Sequence, residues 1–122
     1  MRFDVVTIFP AMFGPVFEHG VVGRGIERGT VSVHTHDLRE YTHDRHRQVD
    51  DMPFGGGPGM VLKPEPVFEA VDAIRPHNAG PVVLMEPWGE RLDQRLAAEL
   101  ADRKSTRLNS SHHTTSRMPS SA

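Results

Sequence analysis

Two short apolar runs constrain what this chain can fold into. Residues 3–9 (FDVVTIF) and 82–85 (VVLM) are rich in β-branched and other apolar side chains, with almost no polar alternation. Such strands need cover on both faces, the situation of a parallel sheet flanked by helices. Helical spacing fills the intervals. Met12, Phe13, Val16 and Phe17 predict a short amphipathic helix over residues 10–17 with proline at its start. Residues 22–27 predict a second helix between glycine breaks. Val31, Val33 and Thr35 alternate with Ser32, His34 and His36, the pattern of a half-exposed strand. Val67, Phe68, Val71 and Ile74 predict a helix over residues 64–74. Residues 82–85 then form a strand, residues 87–89 a turn, and Leu92, Leu96 and Leu100 share one face of a helix over residues 91–101. This order, β-α-(α)-β-loop-α-β-α, predicts an α/β domain with a mainly parallel sheet.

Length and composition set outer limits. The 122 residues suffice for one small domain, and 37% hydrophobic with 25% charged residues describes a globular rather than a disordered chain. No apolar run approaches the roughly 18 residues of a membrane span. The first ten residues lack the basic, apolar and small-residue zones of a signal peptide. Cysteine is absent, which excludes disulfides, thiolate metal sites and cysteine nucleophiles, and fits a cytoplasmic protein.

The composition breaks near Ala101. Residues 102–122 are polar, rich in Ser and Thr, and have no apolar stripe; a disordered tail is the simplest expectation. A more specific reading exists. Residues 102–112 (DRKSTRLNSSH) resemble the in-frame translation of a common short-read sequencing adapter, and residues 116–122 (SRMPSSA) match the constant stretch that follows the sample index. The three residues between them leave room for the index in the same frame. The tail is therefore read as non-native, and residues 1–101 as the natural segment. Removing the tail's four basic and one acidic residue from the chain's 14 and 16 leaves ten basic and fifteen acidic residues, a net charge of −5 with His neutral. An acidic segment meets nucleic acid only through a local basic patch or through other parts of a longer protein.

Residues 37–60 are polar and glycine-rich, with too little apolar content to be expected in the core; a loop of that length in a small domain is usually functional or disordered. Gly55, Gly56, Gly57 and Gly59 around Pro58 strip side chains from the backbone, so that main-chain N–H groups can approach a phosphate or a base. The loop is neither a Walker loop nor a dinucleotide fingerprint. His43, Arg45, His46 and Arg47 form a basic cluster suited to phosphate contacts, or to local ion pairs with Asp44, Asp50 and Asp51. Asp50 and Asp51, adjacent on an extended segment, point to opposite faces and do not make a dyad. His34, His36, His43 and His46 raise a metal site, but the spacing is not that of a helical pair with an acidic partner, and no metal is expected. Residues 84–89 (LMEPWG) follow a buried strand, the place where parallel α/β sheets bind ligands.

Taken in order, Thr7-Ile8-Phe9-Pro10 with Met12-Phe13, Asp37-Leu38-Arg39, Thr42-His43-Asp44-Arg45-His46, Val49-Asp50-Asp51 and Pro53-Phe54-Gly55-Gly56-Gly57-Pro58-Gly59-Met60 resemble the first third of the bacterial tRNA (guanine-N1)-methyltransferase (TrmD) family. The resemblance covers residues 1–101 and none of the tail. It implies a partial parallel sheet of the trefoil-knot, SPOUT-like class, truncated before the knot can close, with residues 1–101 as the N-terminal part of the S-adenosylmethionine-binding domain. The implied reaction is methyl transfer from S-adenosyl-L-methionine to N1 of the guanine beside the anticodon, by a cytoplasmic homodimer whose partner is tRNA. By resemblance Leu84, Met85, Glu86, Pro87 and Gly89 hold the methyl donor, and Glu86 departs from the small polar residue usual there. His43, Arg45, His46, Asp50, Gly57, Pro58 and Gly59 fall to the tRNA-facing loop. The catalytic residues are expected downstream, together with the remaining knot loops and a helical tRNA-binding domain. The 122-residue chain is therefore expected to bind the donor poorly and not to turn over, and to leave the apolar faces of its two buried strands uncovered. The alternatives are a non-catalytic RNA-binding or dimerisation module built on residues 45–59, and a metal-dependent enzyme using the histidines.

Overall fold

The computed structural model describes residues 1–46, 48–50 and 62–102 and, as backbone alone, 51, 61 and 113–117. The chain divides into two compact units, Met1–Asn78 and Ala79–Ala122; the composition break near Ala101 lies inside the second.

The first unit opens with β1 (Arg2–Thr7), and Pro10–Met12 form a 3-10 turn. Two helices follow, α1 (Gly14–Glu18) and α2 (Gly20–Glu27). The helix expected over residues 10–17 is thus broken in two. Gly14-Pro15 restart the chain there, with proline in the first turn of α1, where its missing N–H costs nothing. Phe13 and Phe17 still stack, with ring centroids 5.8 Å apart. Gly20 and Gly29 bracket α2 at φ +68° and +76°, a region only glycine enters without strain. Strand β2 (Ser32–Asp37) then pairs with β1 in parallel, from Arg2 opposite Ser32 to Thr7 opposite Asp37.

The stretch from Asp37 onward corrects the expectation of a loop outside the core. Leu38–Tyr41 form a 3-10 turn, capped by the Asp37 carboxylate accepting from Arg39 N at 2.9 Å. Leu38 and Val49, 2% and 4% exposed, join Ala70 to form the centre of this unit, with Val6, Ile8, Tyr41 and Val67 packed around it. Two isolated apolar residues among polar neighbours carry no periodicity, so burial here depends on tertiary contacts alone. The pair β3 (Asp50–Asp51) and β4 (Val61–Leu62) is antiparallel, an exception to the mainly parallel prediction. Helix α3 (Pro64–Ile74) has the predicted bounds and buries Pro66 and Ala70.

In the second unit β5 runs over Val82–Arg91 instead of stopping at residue 85. It pairs in parallel with β6 (His113–Arg117), inside the segment expected to be disordered. The ladder is irregular where the turn was expected: Met85 and Glu90 both stand opposite Ser116, so residues 86–89 bulge out of register. Pro87 is the physical reason, because it has no N–H to give to a ladder. Helix α4 (Gln94–Asp102) starts later than residue 91 because Asp93 caps it, its carboxylate accepting from Leu96 N at 2.8 Å. Leu96 is buried; Leu92 and Leu100 on the same face are half-buried. Phe3, Leu84 and Met85 are exposed. Among the described residues, no helix is long and apolar enough to cross a membrane.

Candidate functional site

Strands β3 and β4 form a defined neck. Asp50 stands opposite Leu62, Asp51 opposite Val61, and Lys63 N donates to Val49 O at 2.7 Å. Because the Val49 side chain is locked in the core, the neck is anchored to the body of the first unit. Gly57, Pro58 and Gly59 lie outside the described residues.

Beside the neck is a shallow pocket of about 220 Å³, lined by Tyr41, Thr42, His43, Asp44 and Gln48 on one side and Lys63, Glu65 and Pro66 on the other. Local bonds fix its rim. Thr42 Oγ1 donates to Arg39 O at 2.6 Å, and both Asp44 carboxylate oxygens accept from Gln48 N at 3.1 Å. Arg39 Nη1 in turn donates to Ile8 O at 2.6 Å, which ties the rim to the end of β1. His43 Nε2 lies 2.7 and 2.8 Å from the two carboxylate oxygens of Glu69 on α3. The His43 side chain is 80% exposed, and Arg45 and His46 are exposed beside it; Asp50 is half-buried at the neck. The structure therefore gathers His43 and Asp44 around one pocket with Lys63. Lys63, Glu65 and Glu69 were missed in the sequence, where they read as the ordinary start and polar face of a helix; the recurrence of acids at i and i+4 was the available signal.

In the second unit Leu84, Met85, Pro87 and the 80%-exposed Trp88 face solvent, while Glu86 and Gly89 are half-buried. The bulge at 86–89 takes this segment out of regular pairing.

The histidines do not converge. His36 Nε2 bonds Asp4 Oδ1 at 2.8 Å, His34 is exposed, and among the described residues no group of three metal-ligating side chains forms. Asp4, its side chain 4% exposed, also receives Arg2 Nε and Nη2 at 3.0 Å and Asn78 Nδ2 at 2.9 Å. Burial pushes the Asp4 carboxyl up. The bonds from Arg2, Asn78 and His36 and the Arg2 charge outweigh this and hold it well below the usual carboxylate range. The same bond from Arg2 raises the guanidinium's own pKa. This cluster is a structural node away from the pocket lining.

An α/β chain with a partial parallel sheet that follows a solved methyltransferase places this fold in the knotted methyltransferase class. The chain belongs to the tRNA (Guanine-1)-methyltransferase TrmD family, whose model it matches over residues 1–114. It is similar to the tRNA (guanine-N(1)-)-methyltransferase of Persephonella marina, 48% identical over 105 residues, covering 85% of this chain and 41% of the relative. Its likeness to that of Chloroflexus aggregans is 49% over 104 residues, covering 83% and 40%. Among solved structures, the tRNA (m1G37) methyltransferase from Aquifex aeolicus superimposes with a TM-score of 0.75 at 42% identity, over 96% of this chain and 50% of that one. The chain thus spans about two fifths of the length of the curated relatives it matches.

Proposed function

We propose that this chain is the N-terminal part of an enzyme that moves a methyl group from S-adenosylmethionine to N1 of the guanine at tRNA position 37; the Aquifex aeolicus relative is named for methylation at m1G37. The observation that carries this reading is the family match over residues 1–114. The chemistry asks for two things. The sulfonium methyl must lie in line with N1, and the N1 proton must leave as the new C–N bond forms and the thioether departs. The segment Leu84, Met85, Glu86, Pro87 and Gly89 serves the donor, with backbone and apolar groups along the bulge. His43, Arg45, His46, Asp50, Gly57, Pro58 and Gly59 serve the tRNA, Arg45 as a phosphate contact and the glycines as close backbone approach. The base that takes the N1 proton belongs to a longer chain. That longer enzyme works in the cytoplasm as a homodimer, residues 1–101 forming the start of its donor-binding domain and residues 102–122 being foreign to it although the family match runs on to residue 114.

The experiment is to sequence the source gene across the codon for Ala101, express the product, and assay methyl transfer to a tRNA transcript. A methyl on N1 blocks the pairing edge of guanine, so a reverse-transcription stop at position 37 locates it. An open frame running past Ala101 and a stop at position 37 are expected. A gene that encodes residues 102–122 and ends there, or a product that leaves N1 unmodified, overturns the reading.

A further inference from the structure

His43 presents a contrast. Its ring is 80% exposed, yet it is held from both sides of the backbone and at the ring. Thr42 Oγ1 bonds Arg39 O just before it, and the Asp44 carboxylate closes onto Gln48 N just after. The two Glu69 oxygens both lie within hydrogen-bond distance of Nε2. Glu69 is itself placed by a rigid element. It stands one helical turn beyond Glu65, which lines the pocket, and next to Ala70, which is fully buried in the core. An exposed histidine–carboxylate contact of this kind contributes little to stability. It does have a chemical consequence. An ionised carboxylate only accepts hydrogen bonds, so the proton of a neutral His43 ring sits on Nε2. Nδ1 then carries the lone pair, and among the described residues it has no hydrogen-bond partner.

We infer that Glu69 is a positioning residue, which fixes the His43 tautomer and ring direction so that Nδ1 accepts a hydrogen bond from the RNA at the pocket beside Lys63. The donor is a ribose 2′-hydroxyl or a base amino group, and both present the same N–H or O–H chemistry to Nδ1. The inference rests on the reading that this pocket faces tRNA.

Two measurements on the full-length enzyme encoded by the source gene separate the two ideas. The first is the His43 tautomer at alkaline pH, from the ring nitrogen shifts of the labelled protein. The wild type is expected to hold its proton on Nε2, Glu69→Gln to relax toward the mixture of a free side chain, and Glu69→Lys, whose ammonium only donates, to drive the proton to Nδ1. The same tautomer in all three overturns the inference. The second is binding of a synthetic anticodon stem-loop RNA, followed by fluorescence anisotropy. Glu69→Gln is expected to weaken it roughly three- to tenfold, the scale of one hydrogen bond, and Glu69→Asp to restore most of it, with unchanged unfolding midpoints. A tautomer that responds to residue 69 while RNA affinity does not change also overturns the inference. If the wild-type chain binds no stem-loop while the tautomer still follows residue 69, the tRNA reading fails and the positioning by Glu69 stands. A DNA stem-loop distinguishes the donors: loss of the Glu69 effect on DNA assigns the 2′-hydroxyl, and its persistence assigns a base amino group.

Discussion

Asn78 Nδ2 donates to Asp4 Oδ2 at 2.9 Å across 74 residues of sequence, and also to Arg2 O at 3.2 Å. With Arg2 and His36 on the same carboxylate, Asp4 joins β1, β2 and the chain just beyond α3 at one point. Replacing it by alanine takes the carboxylate away from donors on three residues, Arg2, His36 and Asn78, in a site where the side chain is 4% exposed. The expected loss is about 2–4 kcal/mol, read as a lower urea midpoint at unchanged slope. A variant as stable as the parent would mean that water replaces the carboxylate at no cost.

The same carboxylate sets an acid limit. Burial raises its pKa, but the bonds from Arg2, Asn78 and His36 and the Arg2 charge overcome this, so the folded value lies below the unfolded one. Folding therefore favours the ionised form. The Asp4 contribution is complete above the unfolded value of about 3.9 and is lost as pH falls toward the folded value. Unfolding free energy is expected to drop by roughly 2–3 kcal/mol on this account below about pH 4, and Asp4→Asn is expected to lack that part of the slope. Urea titrations at a series of pH values measure it. A parallel decline in both proteins would assign acid sensitivity to other carboxylates.

Gly23 and Gly25 lie in one helix and respond oppositely to a methyl group. A Cβ on Gly23 would meet the Glu18 backbone carbon and oxygen at 2.8 Å, where α2 turns back on the end of α1. Neither atom can move without shifting the backbone, so Gly23→Ala is expected to cost about 1–3 kcal/mol. A Cβ on Gly25 touches only Val31 Cγ2 at 3.7 Å, an ordinary contact. There the better helix propensity of alanine decides, and Gly25→Ala is expected to gain up to about 1 kcal/mol. Thermal unfolding of the two variants side by side tests the pair; the same sign in both would refute the close approach of α1 and α2.

These elements differ in how far the sequence reveals them. Helix α3 is legible to the residue, because Val67, Val71 and Ile74 repeat at helical spacing behind two prolines suited to a first turn. The starts and ends of β1, α2 and β2 shift by a residue or two, within the fraying of any such boundary. The site was less legible. His43 and Asp44 stand out by composition, but Glu69 reaches His43 across 26 residues, and no local pattern announces such a contact. The Pro87 bulge was readable in principle, since proline in a strand pattern marks a break in pairing. The burial of Leu38 and Val49 was not, as each is a lone apolar residue in a polar stretch, and only α3 folding over them makes them core.

Leu38 is accordingly the sharpest test of that core. It is 2% exposed and touches the cluster of Val49 and Ala70, with Val6, Ile8, Tyr41 and Val67 around it. Were residues 37–60 the plain surface loop that their composition suggests, truncating it would change stability by no more than about 0.5 kcal/mol. In the structure its loss opens a cavity between β1, the 3-10 turn and α3, and Leu38→Ala is expected to cost about 2–5 kcal/mol. The effect should also reach the neck, because Val49 shares the cavity wall and its carbonyl holds Lys63 N. Amide exchange at Lys63 is therefore expected to speed up in Leu38→Ala beyond what the fall in global stability accounts for. Equal acceleration at all slowly exchanging amides would show the core and the neck to be independent.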